Sequence, residues 1–223
     1  CLPPPPIPQV TDKDGAAFAA PIEATESDEE KAAQLSRDIT RLSNTEAGAA
    51  KEAELLAKYP TTNAAIELFY LRATEAQKAG RLAEALDYYA RLLYYRPDYE
   101  KTTLVRIEYG KLCLQLGRTQ DAVETFQFLY ANAELPDEID KLAMLFADSL
   151  VKNGHQDQAL ELLVERRNNN SLASDKRNRA EVYAKEIVSE GLDFSQTERL
   201  WNEYGTSSSW EFVQPSLAFR LAK

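Results

Sequence analysis

The chain has 223 residues, of which 44% are apolar and 28% are charged, and its formal net charge is −10 at pH 7. This acidic balance argues against a nucleic-acid-binding protein, because such proteins gain most of their affinity from Lys and Arg side chains that neutralise phosphates. No apolar run in the sequence approaches the roughly 18 to 20 residues needed to cross a bilayer, and two cysteines do not make a disulfide framework.

Residues 1–27 have the composition of a flexible tether. Prolines at positions 3, 4, 5, 6 and 8 remove backbone donors and favour an extended, polyproline-like conformation. The segment that follows carries many carboxylates and few large apolar side chains, so we expect the tether to be disordered. The folded part is predicted to comprise residues 28–223.

The chain begins with Cys1 rather than Met, and Leu2 and four prolines follow it. A mature chain of this kind resembles a bacterial lipoprotein after removal of its signal peptide. In that family the first Cys carries the lipid, and Leu rather than Asp at the next position favours the outer membrane over the inner one. Acyl chains anchor durably because each buried methylene contributes about 0.8 kcal/mol. The alternative is that a cut in the sequence falls on a Cys by chance and that no lipid is attached.

Four glycines lie 37 residues apart, and their neighbours repeat with them. A small side chain lies seven residues before each glycine, and Tyr, Phe or Leu lies nine residues after it. Ala lies five residues after the first three glycines, whereas Gln196 holds that position in the fourth copy. A fixed period of this length is typical of stacked repeats that bury their apolar faces against one another. The glycines are Gly80, Gly117, Gly154 and Gly191.

Each copy is predicted to be two helices joined by a turn. In the clearest copy the helices extend over 63–79 and 82–95. Gly80 ends the first helix, because glycine adopts the left-handed cap conformation without a side-chain clash. Pro97 prevents continuation of the second helix.

The other copies are placed by the same spacing. They extend over about 100–132, from 135 onwards and over 175–204, and an earlier copy follows from a shift of 37 residues towards the N-terminus. Gln196 in place of the packing alanine predicts that the fifth copy is loosely packed or bent. A further helix is predicted from Pro215, either as a cap or as the start of another repeat in a longer protein.

The segments 80–98, 109–126 and 146–163 resemble the tetratricopeptide repeat. The resemblance implies an all-α superhelical solenoid of about five helix-turn-helix units, in which the first helix of each unit lines a concave protein-binding groove. Two features depart from the family pattern. The period is 37 residues rather than about 34, which predicts extra residues in the linkers, and Arg72 stands where a large apolar residue is usual.

The sequence contains no recognisable catalytic or metal-binding motif. Its one histidine, His155, directly follows Gly154 in a predicted exposed turn. No Gly-rich phosphate loop, paired-cysteine metal motif or nucleophile elbow occurs. We therefore expect a protein that is not an enzyme and that uses no catalytic residue, no cofactor and no metal.

Groove positions are assigned by carrying over the register of the tetratricopeptide family, which counts back from each glycine. Seven Lys or Arg and four Asp or Glu fall at these positions, and the middle of the groove is apolar. This pattern suits an extended or helical peptide that carries some acidic residues. A register error of one residue would return several of the apolar residues to the core. The predicted partner-binding residues are Tyr70, Lys78, Leu104, Ile107, Lys111, Leu114, Met144, Lys152 and Lys185.

These features predict a non-catalytic scaffold for protein–protein interaction, anchored by a lipid on Cys1 to the outer membrane and facing the periplasm. Lipoproteins of this kind act in barrel-protein assembly, in pilus secretin assembly and in the activation of peptidoglycan synthases. The activators resemble this chain best, since they carry repeats in their N-terminal half. Two alternatives stay open: a soluble repeat adaptor without lipid, and the N-terminal repeat domain of a larger binding or catalytic protein.

Overall fold

A computed structural model describes residues 21–43 and 45–222 of the chain. Cys1 and most of the predicted tether therefore lie outside the described residues. All regular secondary structure within the described ranges is helical, as predicted. The chain divides into two compact units, and the division falls between Leu116 and Gly117. It therefore cuts through one of the predicted repeats, whose two helices belong to different units.

The N-terminal unit contains five helices within its described residues. Helix α1 packs against α2, α3 against α4 and α4 against α5, and α1 also contacts α3. These contacts are those expected of consecutive helical hairpins joined by short turns. The helices are α1 (Glu26–Arg41), α2 (Glu46–Lys58), α3 (Asn63–Lys78), α4 (Leu82–Tyr95) and α5 (Thr102–Gln115).

The first helix begins two residues before the predicted start of the folded part because Thr25 caps it. The Thr25 side chain accepts a hydrogen bond from the Asp28 backbone N–H, and the Asp28 side chain accepts one from the Thr25 N–H. This reciprocal capping box satisfies two backbone donors that have no partner within the helix. Thr45 and Thr62 cap α2 and α3 in a similar way.

The C-terminal unit contains six α-helices within its described residues, together with one π-helical and one 3₁₀ turn. Helix α6 packs against α7, α7 against α8, α8 against α9 and α10 against α11. Helix α11 confirms the helix predicted from Pro215. The elements are α6 (Thr119–Asn132), α7 (Pro136–Lys152), α8 (Gln156–Asn168), α9 (Ser174–Glu186), the π-helix (Ile187–Gly191), α10 (Phe194–Tyr204), the 3₁₀ turn (Ser208–Trp210) and α11 (Gln214–Leu221).

Three of the four repeating glycines have the predicted left-handed conformation. Gly80, Gly117 and Gly154 have φ values of 76°, 75° and 85°. After Gly80 the Arg81 N–H donates to the Ala76 carbonyl at 2.9 Å. This bond satisfies a carbonyl at the end of α3 and turns the chain towards α4. The predicted helices over 63–79 and 82–95 are confirmed to within one residue.

The repeating apolar positions form the interior of both units. The alanines five residues after the first three glycines have no exposed surface, which allows helices to approach closely. The position nine residues after each glycine is filled by a large buried side chain. These large residues are Tyr89, Phe126, Leu163 and Leu200.

The fifth copy departs from the other four through the π-helix (Ile187–Gly191), which includes its glycine. Helix α10 starts three residues after Gly191, whereas α4 starts two residues after Gly80. The buried packing position therefore shifts by one residue, from Gln196 to Thr197, which is 1% exposed. Gln196 instead forms a capping box with Asp193 at the start of α10. The irregularity in this copy is a one-residue shift of this packing position, while Leu200, nine residues after Gly191, stays buried as in the other copies.

Candidate protein-binding groove

An open cavity of about 950 Å³ lies in the N-terminal unit. Its walls come from α1, α2 and α3, and Lys101, which precedes α5, also lines it. The cavity is thus shared by the first helices of two hairpins, α1 and α3, and by α2, the second helix of the first hairpin. The side chains on which the following argument depends are Glu52, Glu67, Tyr70, Leu71, Arg72, Glu75 and Lys101.

Arg72 lies in this groove and is held by two carboxylates. Its Nε donates to Glu52 Oε1 of α2 at 2.7 Å, and its terminal nitrogens donate to Glu52 and Glu75. The hydrogen bonds to Glu52, more than those to Glu75, raise the pKa of Arg72 above its ordinary value. Arg72, where the resemblance to the tetratricopeptide repeat predicted an apolar residue, pairs instead with Glu52 across the interface between α2 and α3.

Tyr70 also lines the groove and belongs to a cluster of aromatic rings. Its ring centroid lies 6.4 Å from that of Tyr89 and 6.3 Å from that of Tyr99. The Tyr89 hydroxyl donates to Gln77 at 3.2 Å, and the Tyr99 hydroxyl donates to Glu67 at 2.8 Å. These bonds hold the polar ends of the Tyr89 and Tyr99 rings, and both rings pack against Tyr70, which lines the cavity.

Leu71 provides an exposed apolar surface next to Tyr70. Its side chain is 47% exposed and lines the cavity. A leucine of this exposure on a concave surface is a candidate anchor for an apolar side chain of a partner. The prediction from sequence omitted Leu71, because the family register counts the positions ten and six residues before Gly80, which are Tyr70 and Thr74.

The predicted groove residues of the N-terminal unit do not all line this cavity. Tyr70 lines the cavity, whereas Ile107 is only 9% exposed and belongs to the buried residues. Leu104 is 45% exposed but lies outside this cavity. The other predicted residues of this unit that lie outside the cavity are Lys78, Lys111 and Leu114.

Three of the lysines predicted to line the groove are paired with neighbouring carboxylates. Lys111 Nζ lies 2.8 Å from Glu108, one turn away on α5. In the C-terminal unit Lys152 lies 3.0 Å from Asp148, and Lys185 lies 2.7 Å from Glu181. These three lysines are therefore each offset by a carboxylate three or four residues before them on the same helix. The preference for an acidic peptide stays a prediction from the sequence.

The remaining predicted residue of the C-terminal unit, Met144, is partly buried and packs against the apolar core of that unit. Met144, Lys152 and Lys185 lie in the C-terminal unit, and the cavity described above lies in the N-terminal unit. The sequence prediction also missed Lys101, which lines the cavity, and Tyr99, which packs against Tyr70 beside it. Both belong to the linker before α5, and the family register assigns groove positions only to first helices.

The described residues carry no sign of a membrane span or a metal centre. None of the described helices is both long and apolar enough to cross a bilayer. In the same part of the chain, no three His, Cys, Asp or Glu side chains are grouped so that they could hold a metal ion. Comparison of the chain with protein-family models, with curated proteins and with solved structures gave no match.

Proposed function

We propose that this chain is a non-catalytic scaffold that binds a partner protein in the groove of its N-terminal unit. The observation that carries the proposal is the cavity of about 950 Å³ lined by α1, α2 and α3, with Leu71 and Tyr70 on its wall. Its size is in the range of natural ligand sites, and it combines apolar, aromatic and charged side chains. The left-handed glycines and the buried alanines at fixed spacing support a tetratricopeptide-type repeat as the scaffold.

A comparison of two variants that add the same charge tests the groove. Leu71→Glu places a carboxylate inside it, and Ala83→Glu places one on the exposed surface of α4, outside the cavity. We expect crosslinking from envelope fractions to recover partner proteins with the parent chain and with Ala83→Glu, and at least about tenfold less with Leu71→Glu. Circular dichroism should show unchanged helicity in both variants. Equal recovery with the two variants would move the binding site away from this groove.

We also propose that the scaffold is a lipoprotein of the bacterial outer membrane, anchored by a lipid on Cys1, and that it acts in envelope assembly such as the activation of peptidoglycan synthases. Support comes from the sequence, in which Cys1 is followed by Leu2, a proline run and an acidic segment. Metabolic labelling with a fatty-acid precursor should mark the parent chain and fail to mark Cys1→Ala. Labelling that persists in Cys1→Ala would contradict the anchor, and a soluble repeat adaptor would then be the better interpretation.

A further inference from the structure

A cation already lies against the aromatic end of the groove. The Lys101 ammonium nitrogen lies 5.0 Å from the centroid of the Tyr70 ring and 5.5 Å from that of the Tyr99 ring. Both distances are within the range of about 6 Å over which a ring face attracts a cation. The two rings are inclined at 56° to each other. They therefore form two walls of a small cage, which we call the Tyr70–Tyr99 cage.

Oxygen atoms complete the surroundings of this cation. Lys101 Nζ donates to the Tyr99 hydroxyl at 3.2 Å and lies 3.9 Å from Glu67 and 3.6 Å from Glu100. The hydrogen bond to Tyr99, together with the charge of Glu67, raises the pKa of Lys101. The Tyr99 hydroxyl donates a hydrogen bond to Glu67, which makes its oxygen a better acceptor for the hydrogen bond from the Lys101 ammonium group. Two rings and two carboxylates thus surround one positive charge.

The ammonium group of Lys101 is not locked in the cage. The Lys101 side chain is 40% exposed, and the residue lies in the linker between α4 and α5. Exposed ion pairs are weak, so little free energy opposes its displacement. When the lysine swings out, Glu67 and Glu100 are left beside two aromatic faces without their cation. The empty cage would offer another cation the same two ring faces and two carboxylates.

The charges of the surrounding groove favour the same type of ligand. The cavity is lined by the carboxylates of Glu52, Glu67 and Glu75 and by the cations Arg72 and Lys101. Arg72 is already shared between two of these carboxylates. The groove therefore has a small excess of negative charge, which repels an acidic peptide and attracts a basic one.

We propose that the Tyr70–Tyr99 cage receives a lysine or arginine side chain of the bound partner, and that Lys101 fills the cage when no partner is present. The proposal rests on the groove being the partner-binding site. It reverses the preference for acidic peptides predicted from the sequence. Lys101 then competes with the cation of the partner for the cage and lowers the partner's apparent affinity, because a partner must displace it.

The cage can be tested with small cations on the full chain. Tetramethylammonium and Nα-acetyl-lysine amide are the probes, and ring signals of ¹³C-labelled tyrosine report on Tyr70 and Tyr99 by NMR. We expect Lys101→Met to bind both probes at least about fivefold more tightly than the parent chain, because the competing cation is removed. Nα-acetyl-norleucine amide, which has a similar shape without the charge, should leave the ring signals unchanged.

Two controls separate the cage from a general charge effect. Lys78→Met removes another positive charge from the same unit, outside the cavity, and should bind the probes as the parent chain does. Tyr70→Leu in the Lys101→Met background should abolish the response of the Tyr99 signal. Equal probe affinity in the parent chain and Lys101→Met, or a response that survives Tyr70→Leu, would overturn the proposal. Loss of partner recovery with Leu71→Glu would still support the groove in that case, so the two failures are distinguishable.

Discussion

At the scale of single residues, glycines with different backbone conformations occupy equivalent positions of the repeat. Gly154 has a φ of 85°, and a Cβ atom added there would meet no other atom within 4 Å. Gly191 lies in the π-helix and has no positive φ, and an added Cβ would lie 3.4 Å from Gln156 Cγ. The repeat therefore uses glycine for its left-handed conformation at Gly154 but not at Gly191.

Alanine at these two positions should have different effects on stability. Gly154→Ala forces a side chain into the left-handed region, and we expect it to lower the free energy of unfolding by about 1 to 2 kcal/mol. Gly191→Ala, in a helical conformation, should change it by less than about 0.5 kcal/mol or increase it. Urea unfolding followed by circular dichroism measures both values. An equal loss in the two variants would contradict the backbone explanation.

A difference of one residue also decides which of the predicted groove residues line the cavity. A repeat period locates first helices reliably, but one residue corresponds to a rotation of about 100° around a helix. Such a difference separates Ile107, which is buried, from Leu71, which is exposed in the cavity. Helical spacing accounts for the pairing of Lys111 with Glu108, but it carries no information on the position of Lys101 over Tyr70. That contact depends on side-chain conformations and on linker geometry.

At the scale of helices, Asp140 connects three elements of the C-terminal unit. This residue of α7 accepts hydrogen bonds from Arg166 of α8 at 3.0 Å and from Arg179 of α9 at 3.2 Å. The Asp140 and Arg166 side chains are 9% and 7% exposed. Removing one partner of such a pair leaves the other charge buried without compensation. Here a network of charges holds successive hairpins together. Elsewhere contacts between alanine and leucine side chains do so.

Neutralising Asp140 should therefore be costly, and the same helix offers a matched control. We expect Asp140→Asn to lower the free energy of unfolding by roughly 3 kcal/mol, since the Arg166 charge stays buried. Asp137→Asn breaks the pair with Lys176, but the Asp137 side chain is 95% exposed, so the loss should be much smaller than that of Asp140→Asn. Chemical unfolding of both variants measures the two changes in the free energy of unfolding. Similar small losses would show that burial does not control the strength of these pairs.

Helix boundaries were predictable where local chemistry sets them. Gly80 ends α3 and Pro97 follows the end of α4, and the observed helices match the prediction to within one residue. The one-residue shift at α10 was not predictable, because the π-helix (Ile187–Gly191) follows from packing against α8 and α11 as well as from local sequence. Gln196 marked the position of the irregularity, but its role in a capping box with Asp193 required the structure.

At the scale of the whole molecule, the period predicted consecutive hairpins but not the division into two compact units. The same spacing of glycine and alanine continues across residues 110–122, where Leu116 ends one unit and Gly117 begins the next. A repeat pattern records which residues face the neighbouring helix. It does not record how tightly successive repeats contact one another, which depends on side chains outside the repeating positions.

Both units contain a tyrosine whose hydroxyl is withdrawn from water, and this has a consequence for the stability of the whole chain. Burial raises the pKa of Tyr89 and of Tyr183 to about 12, from an ordinary value of 10.0. Between pH 10 and pH 12 the unfolded chain releases these two protons while the folded chain retains them. The unfolded chain then binds fewer protons than the folded chain, so the free energy of unfolding falls as the pH rises through this interval.

Tyr89→Phe should make this alkaline loss of stability less steep. One group of this kind contributes a slope of at most about 1.4 kcal/mol per pH unit, which the variant removes. Below pH 10 the variant differs from the parent chain only by a constant, because the Tyr89 hydrogen bond to Gln77 is lost at every pH. Urea unfolding at intervals from pH 8 to pH 11.5 gives both curves, and absorbance at 295 nm reports tyrosine ionisation. Parallel curves above pH 10 would mean that Tyr89 ionises equally in the folded and unfolded chains, and burial would then not protect its proton.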